Sequence, residues 1–119
     1  MRVVRLRGLL RPATITQLQA NHREGTPKRG TKGEIDFPPV CRVYVPYTRC
    51  QWLLTELDED GIAFGLCDLG YPELGSVSIA EIEARDLKGV RAVEDIAWRA
   101  DKTLSQYAEI ARREGCILA

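Results

Sequence analysis

Two acidic residues, Glu56 and Asp68, form the pair of side chains that could most readily do chemistry. Two carboxylates can share the roles of general acid and general base when they lie within about 5–10 Å of each other. If Glu56 lies opposite Phe64 in a hairpin, Asp68 is four residues further along its strand, at a distance of ~13 Å. In the alternative register the two carboxylates point to opposite faces of the sheet. Neither arrangement brings them together, so the sequence predicts no catalytic residue.

Residues that commonly bind metal ions or phosphate groups are not clustered in this chain. His22 is the only histidine, whereas a metal site gathers several His, Cys or carboxylate ligands. We therefore expect His22 to be a surface residue. The loop from Gly25 to Gly33 contains lysines, but it lacks the spacing of a phosphate-binding loop and a preceding strand. The sequence thus predicts no metal site and no cofactor.

The cysteines favour a reducing compartment. Cys41, Cys50, Cys67 and Cys116 include no Cys-x-x-Cys pair, and Cys41 and Cys67 lie in apolar segments that are typical of buried, reduced thiols. Free thiols persist in reducing compartments. The chain also has no run of the ~20 apolar residues that a membrane-spanning helix needs. We therefore expect a cytoplasmic protein without a membrane partner.

Three segments rich in aliphatic and aromatic residues predict a small antiparallel sheet. They are residues 40–45, 52–57 and 62–67. Short connections join them, and Asp60-Gly61 has the composition of a tight turn. Short connections require neighbouring strands to run in opposite directions. A fourth short strand is expected before residue 79, and one more extended segment between Val90 and Trp98.

Three capping boxes, each a Ser or Thr followed three residues later by Gln or Glu, predict three short helices. They begin near Thr14, Ser78 and Thr103, and the expected helices cover residues 14–24, about 79–85, and a last helix that ends at Gly115. The fold class is therefore α+β, a small antiparallel β-meander packed with two or three short helices. Apolar residues on both faces of the strands indicate two covered faces. We expect helices on one face and the N-terminal arm or a partner chain over part of the other. Trp52 and Trp98 are expected in the core.

The charge distribution divides the chain into a basic arm, residues 1–35, and a compact domain, residues 36–119. Residues 1–34 contain eight Lys and Arg against two Glu, and the arm has a Gly- and Pro-rich loop after its short helix. Such an arm can contact phosphates. The alternative is that two surfaces of opposite charge partly attract each other. The candidate nucleic-acid-binding residues are Arg23, Lys28, Arg29 and Lys32, and the arm also contains Arg2, Arg5, Arg7 and Arg11.

A rigid corner is expected at residues 70–75, because two glycines flank a segment that contains Pro72. Polar residues held on rigid loops often bind partners. Glu73 is the preferred candidate, with the alternative that it merely points to water. The full set of candidate partner-binding residues is Glu73, Tyr71, Asp68 and Glu56, the last two being expected at a turn and at a strand end.

Several motifs from about Pro39 onward resemble the domain of unknown function family 2958. The resemblance rests on the order of residues 52–57 (WLLTEL), 64–70 (FGLCDLG), 72–81 (PELGSVSIAE) and 99–107 (RADKTLSQY). It covers roughly the last two thirds of the chain. It implies a small bacterial protein, often encoded on plasmids and other mobile elements, and it implies no activity.

These observations favour a non-enzymatic binding or regulatory domain that acts through a protein partner, in a mobile-element setting. Residues 54–95 contain eleven Asp and Glu against three Lys and Arg, so an acidic body could recognise a basic protein surface. The alternative is a nucleic-acid-associated accessory protein that uses the basic arm.

Overall fold

The computed structural model describes residues 8–87 and 89–119. The residues Arg2, Arg5 and Arg7 of the basic arm lie outside the described part. The described part of the chain contains three α-helices and seven strands, with one short 3₁₀ turn after the first helix. They are α1 (Pro12–Gly25), the 3₁₀ turn (Thr26–Lys28), β1 (Cys41–Tyr44), β2 (Gln51–Leu57), β3 (Ile62–Asp68), β4 (Pro72–Ser78), α2 (Ile79–Ala84), β5 (Asp86–Leu87), β6 (Val90–Arg91), β7 (Val93–Glu94) and α3 (Leu104–Glu114).

The main sheet has five strands in the order β4-β3-β2-β1-β7, and every neighbouring pair is antiparallel. Four of these strands follow the chain order, so the predicted α+β meander is confirmed. The short strands β5 and β6 form a separate hairpin. The extended segment expected after Val90 includes β7, which adds to the free edge of β1. No helix in the described ranges is both long and apolar enough to cross a membrane.

The two faces of the sheet have separate cores. Helices α1 and α2 cover the first core, where Leu18, Trp52 and Ile79 are buried. Helix α3 covers the second core, where Tyr107 is buried and Trp98 packs against the cluster. The prediction that the helices share one face is therefore wrong. The N-terminal arm does cover one face through α1, because Leu18 of this helix is fully buried in the first core.

A β-bulge in β2 changes the direction of the side chains that follow it. Leu54 pairs with Gly65 and Glu56 pairs with Phe64, so Thr55 is the extra residue. Gly65 allows the strands to approach, since a Cβ atom there would lie 2.0 Å from the carbonyl oxygen of Leu53. The amide of Asn21 in α1 donates a hydrogen bond of 3.0 Å to the Thr55 carbonyl. The bulge therefore places Glu56 opposite Phe64. This is the first of the two hairpin registers that the sequence allowed.

Two of the three predicted helix starts are confirmed. Ser78 accepts a hydrogen bond from the Glu81 N–H at 3.2 Å at the start of α2, and Gln106 accepts one from the Thr103 N–H at 2.9 Å at the start of α3. Gly115 ends α3 in the left-handed conformation, with φ 82°. The predicted box at Thr14 is wrong, because α1 begins earlier, at Pro12. Proline favours this first helical position.

The predicted corner at residues 70–75 is also wrong for most of its length. Residues from Pro72 onward form β4, an edge strand of seven residues, and only the segment before it is a turn. Glu73 therefore lies in a strand, opposite Cys67 of β3. Proline is tolerated there because an edge strand has no neighbour on one side.

Candidate functional site

One buried carboxylate, that of Asp68, connects three segments at the end of the sheet where β3 finishes. Its oxygens accept hydrogen bonds from the Arg49 guanidinium, the shortest at 2.9 Å, from the Gly70 N–H at 2.9 Å and from the Ile117 N–H at 3.2 Å. Arg49 belongs to the β1–β2 turn, Gly70 to the β3–β4 turn, and Ile117 follows α3. Asp68 itself is fully buried, so it holds this end together from within.

The environment of Asp68 keeps the carboxylate ionised. Burial opposes ionisation, but the hydrogen bonds from Arg49, Gly70 and Ile117 outweigh it and hold the pKa of Asp68 below its ordinary value. Arg49 is itself held by a further hydrogen bond of 2.9 Å to the Gly115 carbonyl. Three segments that are distant in sequence are therefore fixed relative to one another by one ionised group.

Four large apolar or aromatic side chains project from these three segments. We call this set the corner surface, and each member lies within two residues of a group that Asp68 holds. Among the described residues it contains half of the eight large apolar side chains that are exposed. Its members, with their exposed fractions, are Tyr47 (98%), Leu69 (48%), Tyr71 (73%) and Leu118 (53%).

Tyr47 is held in an unusual backbone conformation. Its φ is 67°, in the left-handed region, and among the described residues it is the one non-glycine residue with positive φ. A bulky side chain is disfavoured there. The turn nevertheless presents this ring to solvent.

Glu73 lies beside the corner surface on the outer strand. It is exposed, and it faces Cys67 across the β3–β4 pair. Burial, together with the nearby Glu73 charge, raises the pKa of the Cys67 thiol to about 11. Burial likewise raises the pKa of Cys41 to about 12. All four cysteines are free; Cys41 is buried, Cys67 is half-buried, and the thiolate form of both is suppressed.

A cleft of about 390 Å³ lies toward the other end of β2, beside the bulge. Strands β2, β3 and β4 form its floor, residues 34–37 form one wall, and the first turn of α3 closes it. We call it the Glu56 cleft. Residues that line it include Glu34, Asp36, Phe37, Glu56, Phe64 and Leu104.

Glu56 is 8% exposed and lies on the floor of this cleft. Its Oε1 accepts a hydrogen bond of 2.8 Å from Nη2 of Arg29, and Nδ1 of His22 lies 3.9 Å from the same oxygen. His22 is therefore partly buried beside an acid, and the prediction of a plain surface residue is wrong. The C-terminal turn of α1 approaches closely, since a Cβ atom on Gly25 would lie 3.4 Å from Oε1.

The cleft wall is fixed to helix α3 through Asp36. Its carboxylate accepts hydrogen bonds from the Ser105 hydroxyl and from the Ser105 N–H, the latter at 3.2 Å, while the Leu104 N–H donates to the Phe37 carbonyl at 2.9 Å. Burial opposes ionisation of Asp36, but the Ser105 and Thr103 hydrogen bonds outweigh it and lower its pKa. The loop after α1 is thus attached to the α3 N-terminus.

The basic arm is partly neutralised by the rest of the chain. Arg11 forms an ion pair of 2.7 Å with Glu94, and Arg29 forms one of 2.8 Å with Glu56. Within the ranges that the structure describes, the side chains of Arg23, Lys28 and Lys32 form no ion pair. Of the four candidate nucleic-acid-binding residues, Arg29 is therefore paired and the other three are not. The ion pairs of Arg11 and Arg29 agree with the predicted attraction between surfaces of opposite charge.

The candidate residues fall into two groups at opposite ends of β2. Asp68 pairs with Gln51 and Glu56 with Phe64, which places the two residues about 13 Å apart along the strands. Tyr71 and Glu73 lie near Asp68, far from Glu56. Among the described residues no group of three or more His, Cys, Asp and Glu side chains could hold a metal ion.

Sequence reasoning missed Tyr47 and Arg49. Pro46 marks a turn in that segment, which could have indicated an exposed Tyr47. No local signal connects Arg49 with Asp68, because the pair is separated by 19 residues.

The fold and these surfaces define an α+β protein with a five-stranded antiparallel sheet covered by helices on both faces. The chain belongs to the family described as protein of unknown function (DUF2958), which matches residues 9–118. The match extends the predicted resemblance from the last two thirds to nearly the whole chain and includes α1. No curated protein and no solved structure matches the chain.

Proposed function

We propose that this protein is a non-enzymatic binding or regulatory domain that acts through a protein partner, and that the corner surface is its contact. The observation that carries the proposal is the exposure of Tyr47, Leu69, Tyr71 and Leu118 on three segments held by one buried carboxylate. Exposed apolar groups gathered at one place commonly mark protein interfaces, and tyrosine is enriched at the residues that dominate binding.

The rigidity of the corner surface supports the same role. Arg49, Gly70 and Ile117 are held by Asp68, so the turns need little further ordering when a partner binds. Interfaces that are ordered in advance lose less conformational entropy on association. Asp68 is thus a positioning residue in this proposal, while Tyr47 and Tyr71 supply the contact.

Replacing both tyrosines, with Tyr47→Asn and Tyr71→Ser, is expected to abolish partner capture without unfolding the protein. Asparagine tolerates the left-handed backbone of residue 47, and both side chains are exposed, so the melting temperature should not fall. The full-length chain is used to capture proteins from a lysate of its source organism. Affinity for the purified captured protein is then measured by calorimetry, where a loss of at least about tenfold is expected.

The matched control is Ile96→Ser, which removes an apolar side chain of 63% exposure near the opposite end of the sheet. It should leave capture and affinity unchanged. The proposal is wrong if the double variant binds the captured protein as tightly as the wild type, or if Ile96→Ser weakens binding equally.

A nucleic-acid role of the arm is the second candidate, favoured by the three cations Arg23, Lys28 and Lys32. They lie within ten residues, and each is exposed and without an ion pair among the described residues. Because Arg29 is paired with Glu56, three of the four predicted nucleic-acid-binding residues remain available to contact phosphates.

A salt titration tests this second candidate. If the arm binds DNA, the affinity of the whole chain for a duplex should fall steeply between 50 and 200 mM salt, the range over which phosphate contacts are lost. The triple change Arg23→Ala, Lys28→Ala, Lys32→Ala should remove the binding, whereas Arg112→Ala and Arg113→Ala on α3 should not. Absence of binding at low salt would exclude a DNA contact.

The cytoplasmic location and the mobile-element setting belong to the same proposal. Four free cysteines support a reducing compartment. The mobile-element setting rests on the family resemblance alone.

A further inference from the structure

The Glu56 cleft contains a buried carboxylate of which only one oxygen is used. Oε1 receives the Arg29 guanidinium, and Oε2 accepts no hydrogen bond from any described residue. Glu56 is nevertheless 8% exposed, and it lines the cleft. Oε2 is not an enclosed atom, so it is open to the cleft, where a donor can reach it. The free oxygen therefore marks a place for a donor that comes from outside the chain.

The walls of the cleft suit a flat cation. Phe37 and Phe64 line it, and aromatic faces attract guanidinium groups. Glu34 and Asp36 add two further carboxylates to the rim. Against these three acids stand Arg29 and His22, whose Nδ1 lies 3.9 Å from Glu56 Oε1, so the acids outnumber the basic groups and suit a basic ligand.

Arg29 already demonstrates that a guanidinium can reach Glu56. It makes a single contact, through Nη2 to Oε1 at 2.8 Å, and its side chain is 51% exposed. A guanidinium that approaches a carboxylate squarely forms two parallel hydrogen bonds. The Arg29 contact therefore uses only one of the two hydrogen bonds that the Glu56 carboxylate could accept from a guanidinium. About half of the Arg29 side chain remains exposed to solvent.

We infer that the Glu56 cleft binds the guanidinium of an arginine side chain from a partner protein, and that Arg29 occupies Glu56 until that arginine replaces it. The exchange breaks one exposed ion-pair contact and forms a two-contact pair against Phe64. Arg29 thereby acts as an internal competitor that lowers affinity. This site is about 13 Å along the strands from Asp68, which holds the corner surface, and does not depend on it.

The experiment titrates the full-length chain with N-acetyl-arginine methylamide and follows backbone amide shifts by NMR. In the wild type, shifts should be confined to residues around the cleft, such as Phe64 and Leu104. Arg29→Ala should bind the probe at least tenfold more tightly, because the competitor is gone. The neighbouring change Lys28→Ala, which removes an unpaired cation, should leave the affinity within about twofold.

Two further comparisons identify the chemistry. The citrulline analogue, which has the same shape without the charge, should bind neither protein. In the Arg29→Ala background, Glu56→Gln should lose at least tenfold in affinity, and Glu34→Gln, on the exposed rim, should lose about two- to threefold. The Glu34 variant keeps its hydrogen-bond acceptor toward the Gly30 N–H and does not threaten folding.

Equal affinity of the wild type and Arg29→Ala would overturn the inference, as would equal binding of the arginine and citrulline probes. Probe shifts at Leu69 and Tyr71 instead of the cleft would also overturn it. Because the probe is small and the corner surface is remote, any of these results would leave the capture experiment with Tyr47 and Tyr71 to be judged by itself.

Discussion

Gly65→Ala is expected to lower the free energy of unfolding by about 3 kcal/mol or more, as for severe overpacking. The added Cβ atom would lie 2.0 Å from the Leu53 carbonyl oxygen and 2.9 Å from the Leu54 Cα, both backbone atoms in a central strand. The strands would have to separate where the bulge begins. Urea denaturation, with the slope compared between variants, measures the change.

Gly75→Ala is the matched control, because Gly75 pairs directly with Gly65 on the edge strand and a Cβ atom there would meet nothing within 4 Å. Alanine is favoured over glycine within a strand by about 0.5–1 kcal/mol. This variant should therefore be as stable as the wild type or more stable. Equal destabilisation by the two changes would contradict the close approach at Gly65.

Asp68→Ala should cost about 3 kcal/mol of stability, since it leaves the Gly70 and Ile117 N–H groups without their acceptor. It should also weaken partner binding, because the corner segments lose their common attachment. Asp58→Ala is the control. Asp58 likewise accepts from two backbone N–H groups, at 2.8 and 2.9 Å, but no arginine of the described residues pairs with it, so about 1 kcal/mol is expected.

The effect of Asp68 should depend on pH. Its pKa is lowered in the folded protein, so the stabilisation is present above the ordinary carboxyl pKa and is lost as pH falls through the lower folded value. The stability difference between the wild type and Asp68→Asn should therefore be full near neutrality and shrink below about pH 4. A difference that stays constant into acid would show that ionisation of Asp68 contributes nothing.

Much of the fold could be predicted because its signals are local. The segments around Val43, Leu54 and Leu66 have strand composition, and the boxes at Ser78 and Thr103 set the starts of α2 and α3. Thr14 and Gln17 have the same capping-box spacing, but Thr14 lies inside α1, where its hydroxyl donates a hydrogen bond of 2.7 Å to Glu94. Pro72 and Gly75 suggested a corner because an edge strand and a turn tolerate the same residues.

The candidate sites depended on contacts that local reasoning does not reach. The bulge at Thr55 exists because Gly65 and Asn21 meet β2 from other segments. The ion pair between Arg29 and Glu56 spans 27 residues of sequence. Glu56 and Asp68 were therefore recognised as notable residues, while their partners and their depth of burial were not predicted.

The contact between Asp68 and Ile117 has a consequence for synthesis of the chain. The two residues are 49 positions apart, and the Ile117 N–H reaches the carboxylate only after α3 has docked on its face of the sheet. While residue 117 is still inside the ribosome, a nascent chain cannot form the hydrogen bond from Ile117 to Asp68, so the corner surface is incomplete.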